Sequence, residues 1–494
     1  ERLSPAEGTQ FIQHQASLKT VAIEPSEIEN IYRQTGGTPA AIVYAMGQVA
    51  AGYSIPQVLP QLTRHANDYC RYYLADTVSK LEEQIAQTIL VVLSMFPASA
   101  KDTALSYIAQ IEEHQANESF AQLKQLSLVS VENNRYAMLP LARDYVAKEL
   151  LPEASSKAGH QLRKRWLLWH QTLLAAHQPL YWREWYDYTP IDTEWENIQA
   201  AMEWCIATTD YEGFVKLWPL LRGYTHLRGY WNERLSWLEW WLGVLQTDRG
   251  EIGFQEDKHP QSLLLEALQD LGWTLTLMGQ ADNLSKAREC FAQAWARRGN
   301  APLEAQLELA IDYAVLCLFQ DQLEQVMPWI ETATQLLEKV DLSDTEKTYQ
   351  QLRLLYYTAQ MHYRQRDWTT AKSLYHQILS DIKDAGAQAQ QGYSEKEKQI
   401  EVYSLNWLVD IALQETDLMT AEQFLQQSWP IIQAQKDRRS HAFHQRSKAK
   451  LEQLKGNSAG FLDWCPKAQD SFSALGMQTQ AQEMQTWLDS EFRQ

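Results

Sequence analysis

Glycine, proline and cysteine are scarce in this chain, and long hydrophobic runs are missing. The 494 residues include only 20 glycines and 16 prolines, so little interrupts regular structure. The five cysteines are far apart and form no Cys-x-x-Cys pair. Their spacing argues against a disulfide framework or a zinc site and predicts buried thiols in a reducing cytoplasm. The longest apolar runs, residues 40–46 and 89–96, are far shorter than the roughly 20 residues that cross a bilayer.

The composition indicates a folded and acidic protein. Hydrophobic residues make up 45% of the chain and charged residues 21%, which supplies a large core and excludes wholesale disorder. Asp and Glu outnumber Lys and Arg by 62 to 44, a net charge of −18. Because such a body repels phosphate backbones and acidic membrane surfaces, we expect no membrane partner and disfavour nucleic acid. The chain opens at Glu1 directly into a helical pattern, and we expect that part of a longer chain lies upstream.

The hydrophobic pattern predicts a mainly α-helical fold, because apolar residues recur at every third and fourth position over long stretches. We divide it into a helical domain at 1–70, a winged helix at 71–150, a tryptophan-rich helical domain at 151–250, and tetratricopeptide-like repeats at 251–494. The repeats would form an α-solenoid of helix pairs. The polar residues 247–261 contain glycine and proline and are predicted to be a linker.

The first segment carries clear helix boundaries. Ser4 and Glu7 have the spacing of a capping box. A second helix is expected to end at Gly36, where glycine permits the left-handed conformation. Thr38 would cap a third helix that begins at Pro39. This third helix is apolar almost all round, so we expect it to be buried.

Residues 71–150 show three helical patterns followed by two short β patterns. The helical patterns cover residues 78–95, 102–110 and 119–126. Asn133-Asn134 separates the strands 128–132 and 135–138, and asparagine tolerates the positive φ that a two-residue type I′ turn requires. Helices followed by a hairpin are the layout of a winged helix. The third helix contains one lysine and no arginine, which disfavours binding in a DNA groove.

Aromatic and small residues organise the rest of the chain. Eleven of the 19 tryptophans fall within residues 155–250, where helical spacing favours core packing over a ligand-binding aromatic cage. Farther on, small or branched residues recur where the paired helices of a tetratricopeptide unit approach closely: Ala287, Val326, Ala371 and Ala421. Their separations of 39, 45 and 50 residues exceed the usual period of about 34, so we predict degenerate repeats with long helices.

Motifs of common enzyme classes are missing or are better explained by helices. No glycine is followed by lysine, so the phosphate-binding Gly-x-x-x-x-Gly-Lys loop is absent, as is His-Glu-x-x-His. We therefore expect no catalysis by this chain. Residues 456–460 match Gly-x-Ser-x-Gly, but the polar helical residues before Ser458 favour an interhelix turn. His441 and His444 lie within the basic stretch 436–450, where cationic neighbours oppose metal binding, and we interpret this stretch as a solvated helix face.

Four short motifs, taken in order, resemble NB-ARC-type STAND NTPases, the class that contains plant resistance proteins and apoptotic-protease activators. Residues 3–7 (LSPAE) resemble the LSxxEA helix start that follows the nucleotide-binding core of bacterial members. Residues 35–42 (TGGTPAAI) are similar to the family's TGGxPLAI segment. Residues 136–145 (YAMLPLARDY) resemble the winged-helix segment with the MHD motif. Residues 194–201 (EWENIQAA) with 228–231 (RGYW) resemble the start of the helical sensor region.

The resemblance implies a role and a set of nucleotide-site residues. The chain would be the regulatory and sensor region of a bacterial STAND protein, binding ADP or ATP only together with an upstream nucleotide-binding domain. In relatives the proline at the Pro39 position, next to the glycine pair that ends at Gly37, lines the adenine site, although a capped and buried helix explains these residues equally well. Met138 and Leu139 occupy the MHD positions. Because Leu139 cannot donate to a phosphate, Arg143 is the candidate substitute for the family's histidine.

The resemblance also implies partners. The repeats would recognise a protein or small-molecule trigger, and nucleotide-dependent autoinhibition would then be released to allow homo-oligomerisation. Antiviral defence is a common use of such proteins. Two other interpretations stay open. One is a free-standing tetratricopeptide adaptor or scaffold in which the winged helix is only structural. The other, with less support, is a transcription regulator that uses the winged helix on DNA.

Overall fold

The computed structural model describes residues 2–62, 74–81, 84–179, 187–247, 260–388 and 395–491. In these ranges the chain is predominantly helical, which confirms the predicted fold class. The chain divides into two compact units, the first comprising Glu1–His177 and Thr189–Thr208, and the second Gln178–Tyr188 and Thr209–Gln494. The boundary near Thr208 falls inside the predicted third segment, and the four predicted segments stay a prediction.

The first unit begins with a small helical bundle around an isoleucine-rich core. Its helices are α1 (Pro5–Leu18), α2 (Pro25–Thr35), α3 (Pro39–Ala50) and α4 (Ile55–Leu62). The capping box is confirmed, since the Ser4 backbone N–H donates to Glu7 Oε2 at 2.9 Å. Gly36 ends α2 in the left-handed conformation with φ of 58°. Thr38 lies at the N-cap of α3 but makes no side-chain cap hydrogen bond, so that part of the prediction is wrong.

After a helical stretch at residues 74–79, three longer helices and a three-stranded sheet follow in the described part of the chain, and the winged helix stays a prediction. They are α5 (Ile85–Ser94), β1 (Ala100–Lys101), α6 (Asp102–Ala109), α7 (Glu113–Gln125), β2 (Val129–Glu132) and β3 (Arg135–Met138). The hairpin is confirmed, with Asn133 and Asn134 at φ of 50° and 60°. The sheet has the antiparallel order β1-β3-β2. The sequence pattern missed β1, because two residues are too few to show alternation.

Within the described ranges the first unit contains four more helices: α8 (Pro140–Glu149), α9 (Lys157–His177), α10 (Thr189–Asp192) and α11 (Trp195–Ala207). Trp166 and His170 of α9 are buried against Phe96, with ring centroids 6.4 Å and 5.8 Å away. Burial lowers the pKa of His170 to about 3. The imidazole is therefore a neutral part of the core.

The second unit is an array of long helices that pack in consecutive pairs. They are α12 (Tyr211–Leu227), α13 (Trp231–Thr247), α14 (Pro260–Met278), α15 (Ala281–Arg297), α16 (Leu303–Phe319), α17 (Val326–Leu337), α18 (Asp344–Arg364), α19 (Trp368–Gln388), α20 (Glu395–Gln414), α21 (Leu418–Gln435), α22 (Arg438–Leu454), α23 (Ser458–Ala474) and α24 (Gln478–Glu491). From α14 to α20 each even-numbered helix packs on the next helix and also touches the next even-numbered helix, and α22 packs on α23. Most of the predicted linker, residues 248–259, lies outside the described residues.

The four predicted repeat anchors are fully buried between paired helices, as the sequence pattern requires. Ala287, Val326, Ala371 and Ala421 each have 0% exposure. Tryptophans of the aromatic block serve mainly as core: Trp166, Trp195, Trp218, Trp231, Trp237 and Trp241 are all buried. Trp182 and Trp185 lie outside the described residues. Buried alanines let the helix backbones approach, which gives the solenoid of helix pairs.

The basic stretch on α22 is not a solvated helix face, and this prediction is wrong. His444 is 6% exposed and stacks on Trp429 with centroids 4.7 Å apart. Burial, with smaller contributions from His441 and Lys448, lowers the pKa of His444 to about 4. Arg446 forms an ion pair with Asp410 of α20. The cations of this helix therefore hold neighbouring helices together.

Two other sequence predictions are confirmed in the described residues. The Gly-x-Ser-x-Gly match is a turn between α22 and α23, in which Asn457 caps the following helix by accepting from the Gly460 N–H at 3.1 Å. The described cysteines are free and buried: Cys205, Cys290, Cys317 and Cys465. Burial raises the pKa of both Cys290 and Cys465 to about 11, so these thiols are protonated packing groups. Cys70 lies outside the described residues.

Candidate ligand-binding groove

The first helices of successive pairs in the second unit line a cavity of about 480 Å³. Its walls come from α12, α14, α16 and α18, with Arg234 of α13 at its base. A cavity of this size is within the range of ligand-binding pockets. Solenoids characteristically bind partners on the surface formed by such stacked helices. The cavity is therefore the candidate functional site of this unit.

Helical spacing places carboxylates on the cavity side of three successive first helices. Residues four apart in a helix lie on the same face. Glu266 and Asp270 of α14 have this spacing, and α16 extends it over three residues: Glu304, Glu308 and Asp312. Glu346 of α18 continues the row. Sequence reasoning missed this site, although the repeated spacing of acids within a largely apolar helix is a usable signal.

The deepest charges form a buried cluster around Asp270. Arg222 Nε and Arg234 Nη2 both donate to Asp270 Oδ1, at 2.8 Å and 2.9 Å. Burial lowers the pKa of Arg234 to about 10, an effect that Asp270 opposes. Burial also opposes the charge on Arg222, but the surrounding carboxylates, Asp270 foremost, outweigh it and raise the pKa of that guanidinium. Both arginines are therefore cationic near neutral pH.

Two further ion pairs join carboxylates that line the cavity to cations that lie outside it. Arg353 Nη1 donates to Glu308 Oε1 at 2.7 Å, and Gln350 Nε2 donates to the same oxygen at 3.0 Å. Lys396 Nζ donates to Glu346 Oε1 at 3.0 Å. The Arg353 side chain is only 2% exposed, and removing one member of a buried pair is costly because it leaves the other charge unpaired. These contacts hold the first helices of consecutive pairs in register.

Aromatic rings complete the walls. The Arg234 guanidinium lies 4.9 Å from the centroid of the Trp218 ring, within the range of a cation–π contact. Trp273 is half-buried and lies beside His226, with ring centroids 6.2 Å apart. It is among the residues that line the cavity. The groove thus combines carboxylates with aromatic rings.

Within the second unit, the turn between α12 and α13 packs against the last helices of the array. Arg228 Nη1 donates to the Lys436 carbonyl at 3.2 Å, and the Arg438 guanidinium lies 5.1 Å from the Tyr230 ring centroid. Gly229 has φ of 71° and lies in close contact with the Leu475 side chain. The residues 228–231, which resemble a family motif, therefore join the beginning of this unit to its end.

Gly37 and Pro39, the predicted adenine-site residues, lie together at the N-terminus of α3. The Gly37 carbonyl accepts from the Leu3 N–H at 2.8 Å, and Tyr32 Oη donates to the Leu3 carbonyl at 3.0 Å. Pro39 is half-buried at the first helical position. Because Thr38 does not cap this helix, its N-terminal N–H groups receive no side-chain acceptor from that residue.

Met138, Leu139 and Arg143 lie together where β3 meets α8. Met138 is buried in β3, and Leu139 is the N-cap residue of α8. Arg143 Nη2 donates to the Met138 carbonyl at 3.4 Å, while its Nε is buried and donates to no described residue. Burial lowers the pKa of Arg143, against the attraction of Asp144 and Glu196. Gly47, near the opposite end of α3 and about 12 Å along the helix from Pro39, packs close to Leu126 and Ser127 in the turn before β2.

A buried polar network explains the motif at residues 194–201. Arg135 Nη1 donates to Glu194 Oε1 at 2.6 Å, and Asn197 Nδ2 donates to Glu194 Oε2 at 2.7 Å. Asn197 also accepts from the Ala98 N–H at 3.1 Å and donates to the Ser99 carbonyl at 3.0 Å. Glu194 and Asn197 are 6% and 0% exposed. They fix α11 to the hairpin and to the loop before β1, a contact that sequence spacing did not reveal.

Other kinds of site are missing from the ranges that the structure covers. No group of three or more His, Cys, Asp or Glu side chains there has a geometry for holding a metal ion. No helix in those ranges has the length and apolarity to cross a membrane.

The fold and the groove define a predominantly helical protein with an array of tetratricopeptide-like helix pairs. Among solved structures, the chain is similar to a STAND protein with a tetratricopeptide repeat sensor from Pyrococcus horikoshii, with 14% identity and a TM-score of 0.45. The similarity covers 98% of this chain and 62% of that one, so this chain spans less than two thirds of its length. A TM-score of this size does not establish a shared fold. No protein-family profile and no curated protein matches the sequence.

Proposed function

We propose that this chain is the regulatory and sensor region of a STAND signalling NTPase. In this proposal the groove of the second unit binds a trigger, and the first unit closes over a nucleotide held by an upstream domain. The observation that carries the proposal is the groove itself, because its walls come from successive first helices of a tetratricopeptide-like array. Trigger binding would bias a two-state arrangement toward an active, oligomeric form. A role in antiviral defence is consistent with the resemblance and is part of the proposal.

Two features of the first unit support the nucleotide-dependent part. The N-terminus of α3 presents backbone N–H groups beside Pro39, a suitable boundary for an adenine ring or an anion. Arg143 holds a buried Nε without an acceptor among the described residues. A diphosphate oxygen would supply that acceptor, which makes Arg143 the substitute for the histidine that Leu139 replaces. ADP would then stabilise the resting state through Arg143.

ADP titration tests this proposal directly. ADP would be titrated calorimetrically into this chain and into a longer chain that includes the nucleotide-binding domain. We expect tight binding only to the longer chain, weakened about tenfold by Arg143→Gln because a charge-assisted hydrogen bond is lost. Lys148→Gln, an exposed cation on the same helix, is the matched control and should have no effect. Equal ADP affinity in the Arg143 and Lys148 variants would contradict the assignment.

A free-standing adaptor is the second candidate. The groove supports it because all of its walls come from one compact unit and need no nucleotide to form. Partner binding with the same affinity in the presence and absence of nucleotide, by the longer chain, would favour this function. The transcription-regulator interpretation has less support, because α7 carries Lys124 as its single Lys or Arg residue. A salt-sensitive shift of DNA by the chain would revive it.

A further inference from the structure

We propose that the groove binds an arginine side chain from a basic peptide segment of a partner protein. This inference rests on the proposed function of the groove as the sensor site and specifies the chemistry of its ligand. It follows from the charge of the cavity, an unpartnered buried oxygen, the engagement of Arg234 and the residues of the walls.

The cavity carries an excess of negative charge. Six carboxylates line it, together with the two guanidiniums of Arg222 and Arg234. Arg353 and Lys396 neutralise two of the carboxylates from outside, which leaves an excess of two negative charges. The chain as a whole has a net charge of −18. Such a field attracts cations and opposes anionic ligands.

Asp270 offers a hydrogen-bond acceptor to a ligand that carries an N–H donor. The residue is 3% exposed and lines the cavity, yet its Oδ2 is buried and accepts no hydrogen bond from the described residues. A buried carboxylate oxygen without a donor is costly. A ligand N–H group would satisfy it, and a guanidinium has enough donors to reach a neighbouring carboxylate as well.

Arg234, the buried arginine of the cavity, is already fully engaged and does not form an anion site. Arg234 donates through Nε to Thr274 Oγ1 at 2.8 Å and through Nη1 to the Arg222 carbonyl at 2.7 Å. Its Nη2 donates to Asp270, as does Arg222 Nε. Arg234 is also only 2% exposed. A carboxylate or phosphate ligand would have to displace these bonds.

Shape favours an arginine carried by a peptide over a free cation. Trp273, which is half-buried and lines the cavity, provides an aromatic ring as a stacking partner for a planar guanidinium, whereas the Trp218 ring already carries the Arg234 guanidinium 4.9 Å from its centroid. The cavity has a volume of about 480 Å³ and is lined by four successive first helices, so it has room for neighbouring peptide residues as well as the inserted side chain. The exposed Glu304 at its rim provides a second carboxylate for such a segment.

Calorimetric titration of the 494-residue chain with matched probes tests the inference. The probes are a short glycine–alanine peptide containing arginine, the same peptide with citrulline, and methylguanidinium as a free guanidinium with the same single charge. Citrulline keeps the shape of arginine and removes its charge. We expect the arginine peptide to bind at least about tenfold more tightly than either of the others, and to weaken as salt is raised.

Substitutions of cavity carboxylates test whether the arginine peptide binds in the groove. Glu304→Gln and Glu266→Gln should each weaken the arginine peptide about five- to tenfold. Glu331→Gln, an exposed acid on α17 outside the cavity, is the control and should leave the affinity unchanged. Circular dichroism spectra that match those of the unsubstituted chain verify that each variant is folded.

Equal affinity for the arginine and citrulline peptides, tighter binding of methylguanidinium than of the peptide, or no binding at all would each overturn the inference. So would equal loss in the Glu304 and Glu331 variants. The ADP titration of the longer chain uses a different ligand and a different unit, so failure here is distinguishable from failure of the proposed function.

Discussion

Replacing Glu194 with alanine is expected to destabilise the first unit strongly. Glu194 and its partner Arg135 have side-chain exposures of 8% and 12%, and the Glu194 carboxylate also accepts from Asn197 at 2.7 Å. Removing one member of a buried ion pair costs about 3–5 kcal/mol, because the remaining charge loses its partner while staying out of water. For a unit of this size, each kcal/mol lowers the melting temperature by roughly 2–4 °C. A decrease of about 6–20 °C follows.

Differential scanning calorimetry measures this decrease, and it separates the two units if they unfold in distinct transitions. Glu203→Ala is the matched control, because Glu203 is an exposed acid on the same helix; its effect should be within about 0.5 kcal/mol. The double variant Arg135→Ala with Glu194→Ala should lose less stability than the sum of the single variants, because it leaves no unpaired charge. Destabilisation by Glu194→Ala of less than about 1 kcal/mol, or additive single effects, would refute the reasoning.

Three further substitutions test other positions by thermal or chemical unfolding. Gly37→Ala should lower the free energy of unfolding by at least about 2 kcal/mol, because Gly37 has φ of 72° and a Cβ there would lie 2.5 Å from the Leu3 carbonyl oxygen. An unchanged melting temperature would contradict this expectation. Gly229→Ala should likewise destabilise the second unit, where a Cβ meets the Leu475 side chain, and a normal unfolding transition would show that the contact is dispensable. Because burial lowers the pKa of His170 to about 3, only the unfolded chain takes up its proton below about pH 6.5, so stability decreases as the pH falls toward 3. By pH 4.5 the free energy of unfolding should have decreased by about 2–3 kcal/mol because of this residue. His170→Leu should remove this pH-dependent decrease, and an identical pH profile in the variant would contradict the assignment.

Features that depend on a few neighbouring residues could be predicted from the sequence. The Ser4–Glu7 capping box, the left-handed Gly36 and the Asn133-Asn134 turn are all confirmed. Each of them is decided by hydrogen bonds and backbone sterics within about four residues. The buried alanine anchors were predictable for a related reason, since helical periodicity marks the face where a partner helix must approach.

The residues of the candidate sites were only partly predictable from the sequence. The sequence indicated a solenoid, but not which polar side chains meet in its groove, because Asp270, Asp312 and Glu346 come from three different helices. Spacing within a helix shows that residues share a face, whereas the neighbouring helix decides whether that face is solvent or cavity. The predicted nucleotide residues Gly37, Pro39, Met138, Leu139 and Arg143 occupy two separate places in the first unit, and their role stays a prediction.

The sequence by itself determined the helical class, the hairpin, the helix ends and the repeat anchors, because these follow from local propensity and periodicity. Only the tertiary structure decided that His444 and Arg446 are packed between helices, although they lie in a basic stretch. Only the tertiary structure showed that Glu194 is a buried ion-pair partner rather than a surface acid. The physical reason is that burial and charge pairing depend on residues far apart in the chain, such as Arg135 and Glu194, whose encounter no local pattern encodes.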